Sequence, residues 1–194
     1  TVPPKNSNLK TINMRKIVYY VATSIDGYIS GLNNDVSNFI YTGNGVNKYL
    51  NDLKSYDTVI MGRATYEFGY KFGVIPGEPS PTYSHMKHYI FSDNLELKKL
   101  NSQVEIKKLD LKEIDKLKNS EGTDIYLCGG GQFAGWLLEN QKIDVLKLKI
   151  NPLILGDGVR LFGQSNTKHK LQLIDNSIYE NGLQIITYNI VYSK

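Results

Sequence analysis

The stretch that most constrains this chain spans residues 124–136, Asp-Ile-Tyr-Leu-Cys-Gly-Gly-Gly-Gln-Phe-Ala-Gly-Trp. Ile125, Tyr126 and Leu127 predict a short buried strand. Gly129, Gly130 and Gly131 break it. Phe133, Trp136, Leu137 and Leu138 recur at helical spacing, so a helix is expected directly behind the glycines. A strand, a glycine turn and a helix N-terminus make an anion site, because bare glycine N–H groups let a phosphate approach and the helix dipole favours negative charge there. The same residues also read as a tight turn with a close helix–sheet contact. The spacing is not the usual dinucleotide fingerprint: Gly-x-Gly-x-x-Gly with a downstream ribose-binding acid is absent, and Asp144 lies too near, at a helix-to-strand junction.

Residues 1–13 are polar, proline-bearing and aperiodic, and are expected to be a disordered leader or expression remnant; residues 14–194 are expected to form a single domain. Residues 15–22 form a β-branched and aromatic run, a central strand. Asp26-Gly27 then signals a turn, either a plain surface turn or a loop over a site at the strand's carboxyl end. Residues 32–45 are irregular around the apolar island Phe39, Ile40 and Tyr41, and a helix is expected over 46–53. The strand at 58–61 runs straight into Gly62-Arg63-Ala64-Thr65, a second strand–glycine–helix junction. Arg63 there could grip a phosphate with its planar fork or simply pair with a carboxylate. The strand at 88–91 ends at Ser92, whose hydroxyl suits a phosphate or ribose oxygen, or a turn. Residues 144–150 alternate apolar side chains with Lys147 and Lys149 and read as a half-exposed strand leading to the turn Gly156-Asp157-Gly158. Strands at 171–177 and 182–193 close the chain. Early strands alternate with helices and late strands pair as hairpins. The expectation is therefore an α/β, three-layer fold whose mixed, mostly parallel central sheet carries C-terminal antiparallel strands.

Composition removes several function classes. The net charge of +4 is spread over scattered lysines, with no basic stripe for nucleic acid. Cys128 is alone, so no disulfide framework is available, and it reads as a buried small side chain. His85, His88 and His169 complete no metal set. No apolar run reaches the length of a membrane span and no signal-peptide pattern opens the chain, so a cytoplasmic protein without membrane contact is expected.

Several junctions agree in order: Ser24-Ile25-Asp26-Gly27-Tyr28-Ile29, Met61-Gly62-Arg63-Ala64-Thr65-Tyr66-Glu67, Phe91-Ser92, Gly129-Gly130-Gly131 and residues 152–162. Together they resemble the dihydrofolate-reductase-like superfamily and, within it, the reductase domain of bacterial riboflavin biosynthesis and its single-domain relatives. The resemblance implies NADPH as cofactor and hydride transfer as chemistry. It implies that Ala22 presents backbone groups to the nicotinamide carboxamide, that Gly62, Arg63 and Thr65 line the cofactor, that Ser92 lies by the 2′-phosphate end, that Gly129, Gly130, Gly131 and Gln132 receive the pyrophosphate, and that Gly156 closes the site.

Departures from the pattern bear on the substrate. The acid that dihydrofolate reductases carry on the helix before Met-Gly-Arg falls here at Val46 or Asn47, neither of which ionises. The loop acid of single-domain relatives is replaced by Asn38-Phe39, leaving Asp35 as the nearest carboxylate, and the Asp-Glu after the glycine helix is Asp144-Val145. No His-x-Glu and no Pro-Cys-x-x-Cys of a zinc deaminase occurs. The expected protein is an NADPH-dependent reductase of a small pyrimidine- or pterin-like heterocycle, forming a homodimer. Asp26, Asp35 and Thr65 are the candidates for substrate contact or proton delivery, and Asp26 reads equally as a shaper of its own turn. The alternatives are a nucleotide-binding module of the same fold without catalysis, or a fold relative with an emptied pocket.

Overall fold

The computed structural model describes residues 14–192; the expectation for 1–13 lies outside them. The chain forms β1 (Ile17–Thr23), β2 (Tyr28–Ser30), α1 (Asn44–Leu53), β3 (Thr58–Gly62), α2 (Arg63–Phe68), β4 (Lys87–Phe91), β5 (Val104–Lys107), α3 (Leu111–Lys118), β6 (Ile125–Gly129), α4 (Gly131–Glu139), β7 (Val145–Ile150), β8 (Val159–Arg160), β9 (Lys170–Ile178) and β10 (Gln184–Val191). Eight strands make one sheet in the order β5-β4-β3-β6-β1-β7-β10-β9, while β2 and β8 pair apart from it. From β5 to β7 every neighbour is parallel; β10 and β9 join antiparallel at the β7 side. This is the mixed sheet with C-terminal antiparallel strands that the element pattern predicts.

Strand alternation splits the core into two layers. On one face Val18, Tyr20, Val59, Met61 and Tyr126 pack under α1 and α2 through Val46, Leu53 and Tyr66. On the other, Ile17, Tyr19, Ile60, Ile125 and Leu127 pack under α3 and α4 through Ile114, Leu117, Phe133 and Leu137. Ile17, Tyr19, Ile125 and Leu127 are completely buried, and burial of each such side chain contributes about 1.5–3 kcal/mol. The parallel strands are covered on both faces, which is why they read as continuous apolar runs.

That layering positions a crevice. β1 feeds α1 on one face and its neighbour β6 feeds α4 on the other, which makes the β1/β6 boundary the topological switch point where open α/β sheets take ligands. The ladder reflects it. β1 pairs with β6 only from Ile17↔Ile125 to Tyr19↔Leu127, whereas β1 stays paired with β7 as far as Thr23↔Ile150 and β6 stays with β3 to Met61↔Gly129. β1 and β6 therefore part at their carboxyl ends.

One expectation is corrected. β7 is not a half-exposed strand with lysines in solvent. It lies between β1 and β10, and Lys147 and Lys149 point into the α1 side of the sheet. Lys147 is tolerated there because its Nζ donates to Asp52 Oδ2 at 2.6 Å and stands 4.6 Å from the Tyr20 ring centroid.

Candidate active site

The glycine turn after β6 forms one wall of the crevice, and its three glycines are there for different reasons. Gly129 and Gly130 have φ of 142° and 92°, backbone that side-chain-bearing residues rarely adopt. Gly131 has ordinary backbone but no room: a Cβ there would overlap the Arg160 carbonyl oxygen and stand 3.0 Å from the Gly163 amide nitrogen. The close-contact reading of the sequence is thus correct at Gly131. The anion reading survives beside it. The first closing bond of α4 runs from Ala134 N–H to the Gly130 carbonyl at 2.9 Å, and the N–H groups of Gly131, Gln132 and Phe133 ahead of it find no acceptor among the described residues. Gln132 is exposed, while residues 160–163 pack on one flank of that helix end.

The second junction faces the first. Because β3 runs into α2 without a loop, Thr65 is brought against the glycine turn: a Cβ on Gly130 would lie 2.5 Å from the Thr65 hydroxyl. Gly62 admits Phe133 of α4, whose Cβ would stand 3.2 Å from a Cβ at Gly62. Arg63 donates from Nε to Glu67 at 2.8 Å and from Nη1 to Asn94 Oδ1 at 3.1 Å. Ser92 donates to the same Asn94 oxygen at 3.1 Å. The structure therefore brings Arg63 and Ser92 together at the end of β3 and β4, and Thr65 together with Gly130 between α2 and α4. The carboxylate-pairing reading of Arg63 holds at Nε, while Nη2 has no partner among the described residues.

Asp26 lies elsewhere. Its carboxylate accepts the N–H groups of Leu155 at 3.1 Å and Gly156 at 2.7 Å, tying the loop after β1 to the loop after β7. Hydrogen bonding from Ser24, with the Gly156 and Leu155 amides, holds its carboxyl below the usual carboxylate range. Asp35 is exposed and accepts the Ser37 N–H at 2.9 Å, and the Ser37 backbone and side chain lower its carboxyl likewise. Both Asp26 oxygens are engaged by backbone amides, whereas Asp35 uses Oδ1. Asp26 thereby shapes its turn. The same two loops pair through β2 and β8, with Ile25 N–H on the Leu153 carbonyl and Leu161 N–H on the Gly27 carbonyl, both at 2.9 Å. A cleft of about 380 Å³ lies where they meet, lined by Asp26, Tyr28, Arg160, Phe162 and Ser165.

Ala22 is half-buried at the end of β1, in register with Lys149. On the α1 side next to it sits a group of hydroxyls that sequence reasoning passed over. Tyr49 and Tyr126 share a hydrogen bond of 2.7 Å, and the Tyr83 hydroxyl lies 3.2 Å from Cys128 Sγ. Burial raises the Cys128 thiol, and it raises Tyr49 and Tyr126, so all three stay protonated. Asn151, completely buried before Pro152, donates to the Thr23 carbonyl at 3.3 Å and accepts Ile40 N–H at 2.9 Å, which moors the loop ahead of α1 to the sheet. An asparagine ahead of a proline at a strand end was the available signal for that mooring. Tyr49, three residues from Val46 on one helix face, was the signal for the hydroxyl group. Val46 is buried and Asn47 exposed, so α1 presents no carboxylate at either position where the superfamily pattern places one.

The groups around the crevice suit an extended dinucleotide: unpaired amides at a helix N-terminus for a diphosphate, a threonine hydroxyl beside them, and a guanidinium with a serine at the far end. No helix among the described residues is long and apolar enough to cross a membrane.

Comparison with known proteins agrees with this architecture. The chain is 28% identical over 192 residues to the Bacillus subtilis protein YyaP, covering 94% of this chain and 97% of that one. Among solved structures, a Shewanella sp. PV-4 protein named for riboflavin biosynthesis superposes with a TM-score of 0.74 at 23% identity, over 92% of this chain and all of that one. Dihydrofolate reductase from Enterococcus faecalis, solved with NADP(H), superposes with a TM-score of 0.62 at 14% identity, over 90% and 96% of the two chains. The fold is thus dihydrofolate-reductase-like, and the profile of the RibD C-terminal domain matches residues 15–186. The chain belongs to the RibD C-terminal domain family, a family of reductase type.

Proposed function

We propose that the protein is an NADPH-dependent reductase of a small pyrimidine- or pterin-like heterocycle. The observation that carries this reading is the parting of β1 and β6 at their carboxyl ends, with unpaired α4 amides on one side of the gap and Ala22 on the other. NADPH, when bound, supplies the hydride. The chain's own part is to bind and orient. The Gly131, Gln132 and Phe133 amides would hold the diphosphate beside the Thr65 hydroxyl. Arg63 and Ser92 would hold the 2′-phosphate end, and the backbone of Ala22 would face the nicotinamide carboxamide. The loops joined by Asp26 and by β2 and β8 would close over that end and exclude water. The NADP(H) of the E. faecalis neighbour supports the choice of cofactor.

A homodimer fits the same reading. Leu171, Leu173, Ile174 and Ile178 are exposed on the edge strand β9, an apolar surface that a second copy would cover. A cytoplasmic setting belongs to the proposal. The missing carboxylate on α1 favours one alternative, a nucleotide-binding module without catalysis. NADPH oxidation against pyrimidine, pterin, quinone and carbonyl panels decides between the two. Turnover of any panel member supports the reductase. Tight NADPH binding with no turnover supports the module, and failure to bind NADPH, NADH or a nucleotide fragment in calorimetry overturns both and leaves a fold relative with an emptied pocket.

A further inference from the structure

Three cations are buried among the described residues: Arg15 at 6% exposure, Lys118 at 8% and Lys149 at 7%. Arg15 pairs with Asp57, and Lys118 Nζ lies 2.6 Å from Asp144 Oδ2. Lys149 has no carboxylate partner among the described residues. Its ammonium donates to the Ile40 carbonyl at 3.1 Å and stands 5.5 Å from the Tyr49 ring centroid. An ammonium has three N–H donors, so two remain without an acceptor among the described residues.

A purely structural role explains this poorly. The Ile40 segment is already moored by its own N–H on Asn151 Oδ1, and a neutral donor would hold a carbonyl as well. Burying an unpaired charge costs several kcal/mol, whereas a neutral side chain at this position carries no such cost. Among the described residues nothing negative faces Lys149 from the elements around it. β1 offers Ala22, β10 offers Ile185 and α1 offers Tyr49; Cys128 and Tyr126 of β6 lie beyond, and burial keeps Tyr49, Tyr126 and Cys128 protonated. Asp52, further along α1, is taken by Lys147 and Lys48. Burial accordingly lowers the Lys149 ammonium.

The location is what gives the charge a use. Lys149 is the register partner of Ala22, one strand from the β1/β6 gap and on its α1 side, and Ala22 and Tyr49 beside it are only partly buried. A cation beside a tyrosine face near the carboxyl end of an interior strand suits a planar ring that carries an anionic oxygen. We propose that Lys149 is the anion-binding residue of the substrate pocket, and that the substrate is a planar ring bearing a carboxylate or an ionised imide or enol oxygen. This rests on the reductase reading, whose substrate it narrows.

The test uses the full chain, with benzoate as the smallest planar anion and benzamide as its neutral counterpart, in calorimetry and in nuclear magnetic resonance of the Lys149 side chain. Benzoate should bind roughly tenfold more tightly than benzamide, as a charge-assisted contact predicts. Saturating benzoate should raise the Lys149 titration midpoint by about one pH unit, the equivalent of that tenfold preference, while benzamide leaves it in place. Lys149→Met should abolish the preference and Lys149→Arg should keep it, with NADP+ affinity checking that each variant is folded. Equal binding of the two probes, an unmoved midpoint, or a benzoate preference that survives Lys149→Met overturns the inference. A native chain that binds benzoate through Lys149 but not NADP+ supports the anion site and sinks the reductase reading. NADP+ binding with no benzoate effect sinks only the anion site.

Discussion

Replacing Gly131 by alanine puts a methyl group into the Arg160 carbonyl oxygen and 3.0 Å from the Gly163 amide nitrogen. Both obstacles are backbone, so no side-chain rotation relieves them, and residues 160–163 must move off α4. Helix propensity alone argues the other way, since alanine is favoured over glycine by up to about 1 kcal/mol inside a helix. Overpacking against an immovable neighbour costs about 1–3 kcal/mol. With backbone as both obstacles the packing cost falls at the upper end of that range and wins, so a net loss of about 2 kcal/mol is expected, a fall in Tm of about 4–8 °C for a domain of this size. Gly156→Ala is the control: φ is 74° and a Cβ would meet nothing within 4 Å, so only backbone strain of about 1–2 kcal/mol applies, with no displacement of α4. Thermal unfolding and NADP+ calorimetry on both variants read the difference. Gly131→Ala should weaken NADP+ by more than Gly156→Ala, because it displaces the segment that flanks the α4 amides. A rise in Tm for Gly131→Ala would refute the contact, and unchanged NADP+ affinity would refute the link between that contact and the cofactor.

Arg63→Ala should weaken NADPH by roughly tenfold and NADH by less, since a 2′-phosphate is the natural partner of a guanidinium fork; equal losses in calorimetry would remove the reason to prefer NADPH. His88 is completely buried, accepts Ser80 N–H at Nε2 and is pushed down to about 4 by burial. Its folded pKa lies below the unfolded value of about 6.5, so the unfolded chain takes up the proton first and stability falls as pH drops from about 6.5 to 4, by about 3 kcal/mol in all. Urea unfolding across that window measures the slope, and a His88→Gln variant with the same slope would place its origin elsewhere. Asp26→Ala should speed hydrogen exchange at the Leu155 and Gly156 amides and leave β1 protected, whereas unchanged exchange at those two amides would show that the two loops are held by something else. The Asp26 carboxyl is held low, so its tie is complete at neutral pH and weakens as pH falls through the carboxylate range.

Local chemistry made much of this protein legible. The runs at 58–62 and 125–129 read as strands because strands covered on both faces need continuous apolar side chains, and glycines ended both where helices begin. The family was readable because its motifs keep their order along the chain, and order survives where overall identity does not. What sequence could not decide was every property set by a neighbour distant along the chain. Lys149 reads as an outward-facing residue by alternation and becomes buried because Ile40, 109 residues earlier, and Tyr49 of α1 come to lie over that face of β7. The Asp26 carboxylate looks free until the fold delivers Leu155 and Gly156 to it. Gly131 looks like its two neighbours until Arg160 arrives against it. Periodicity and turn chemistry act over a few residues and so are written locally. Burial, charge partners and close approaches are fixed by strand order and register, and only the assembled sheet determines those.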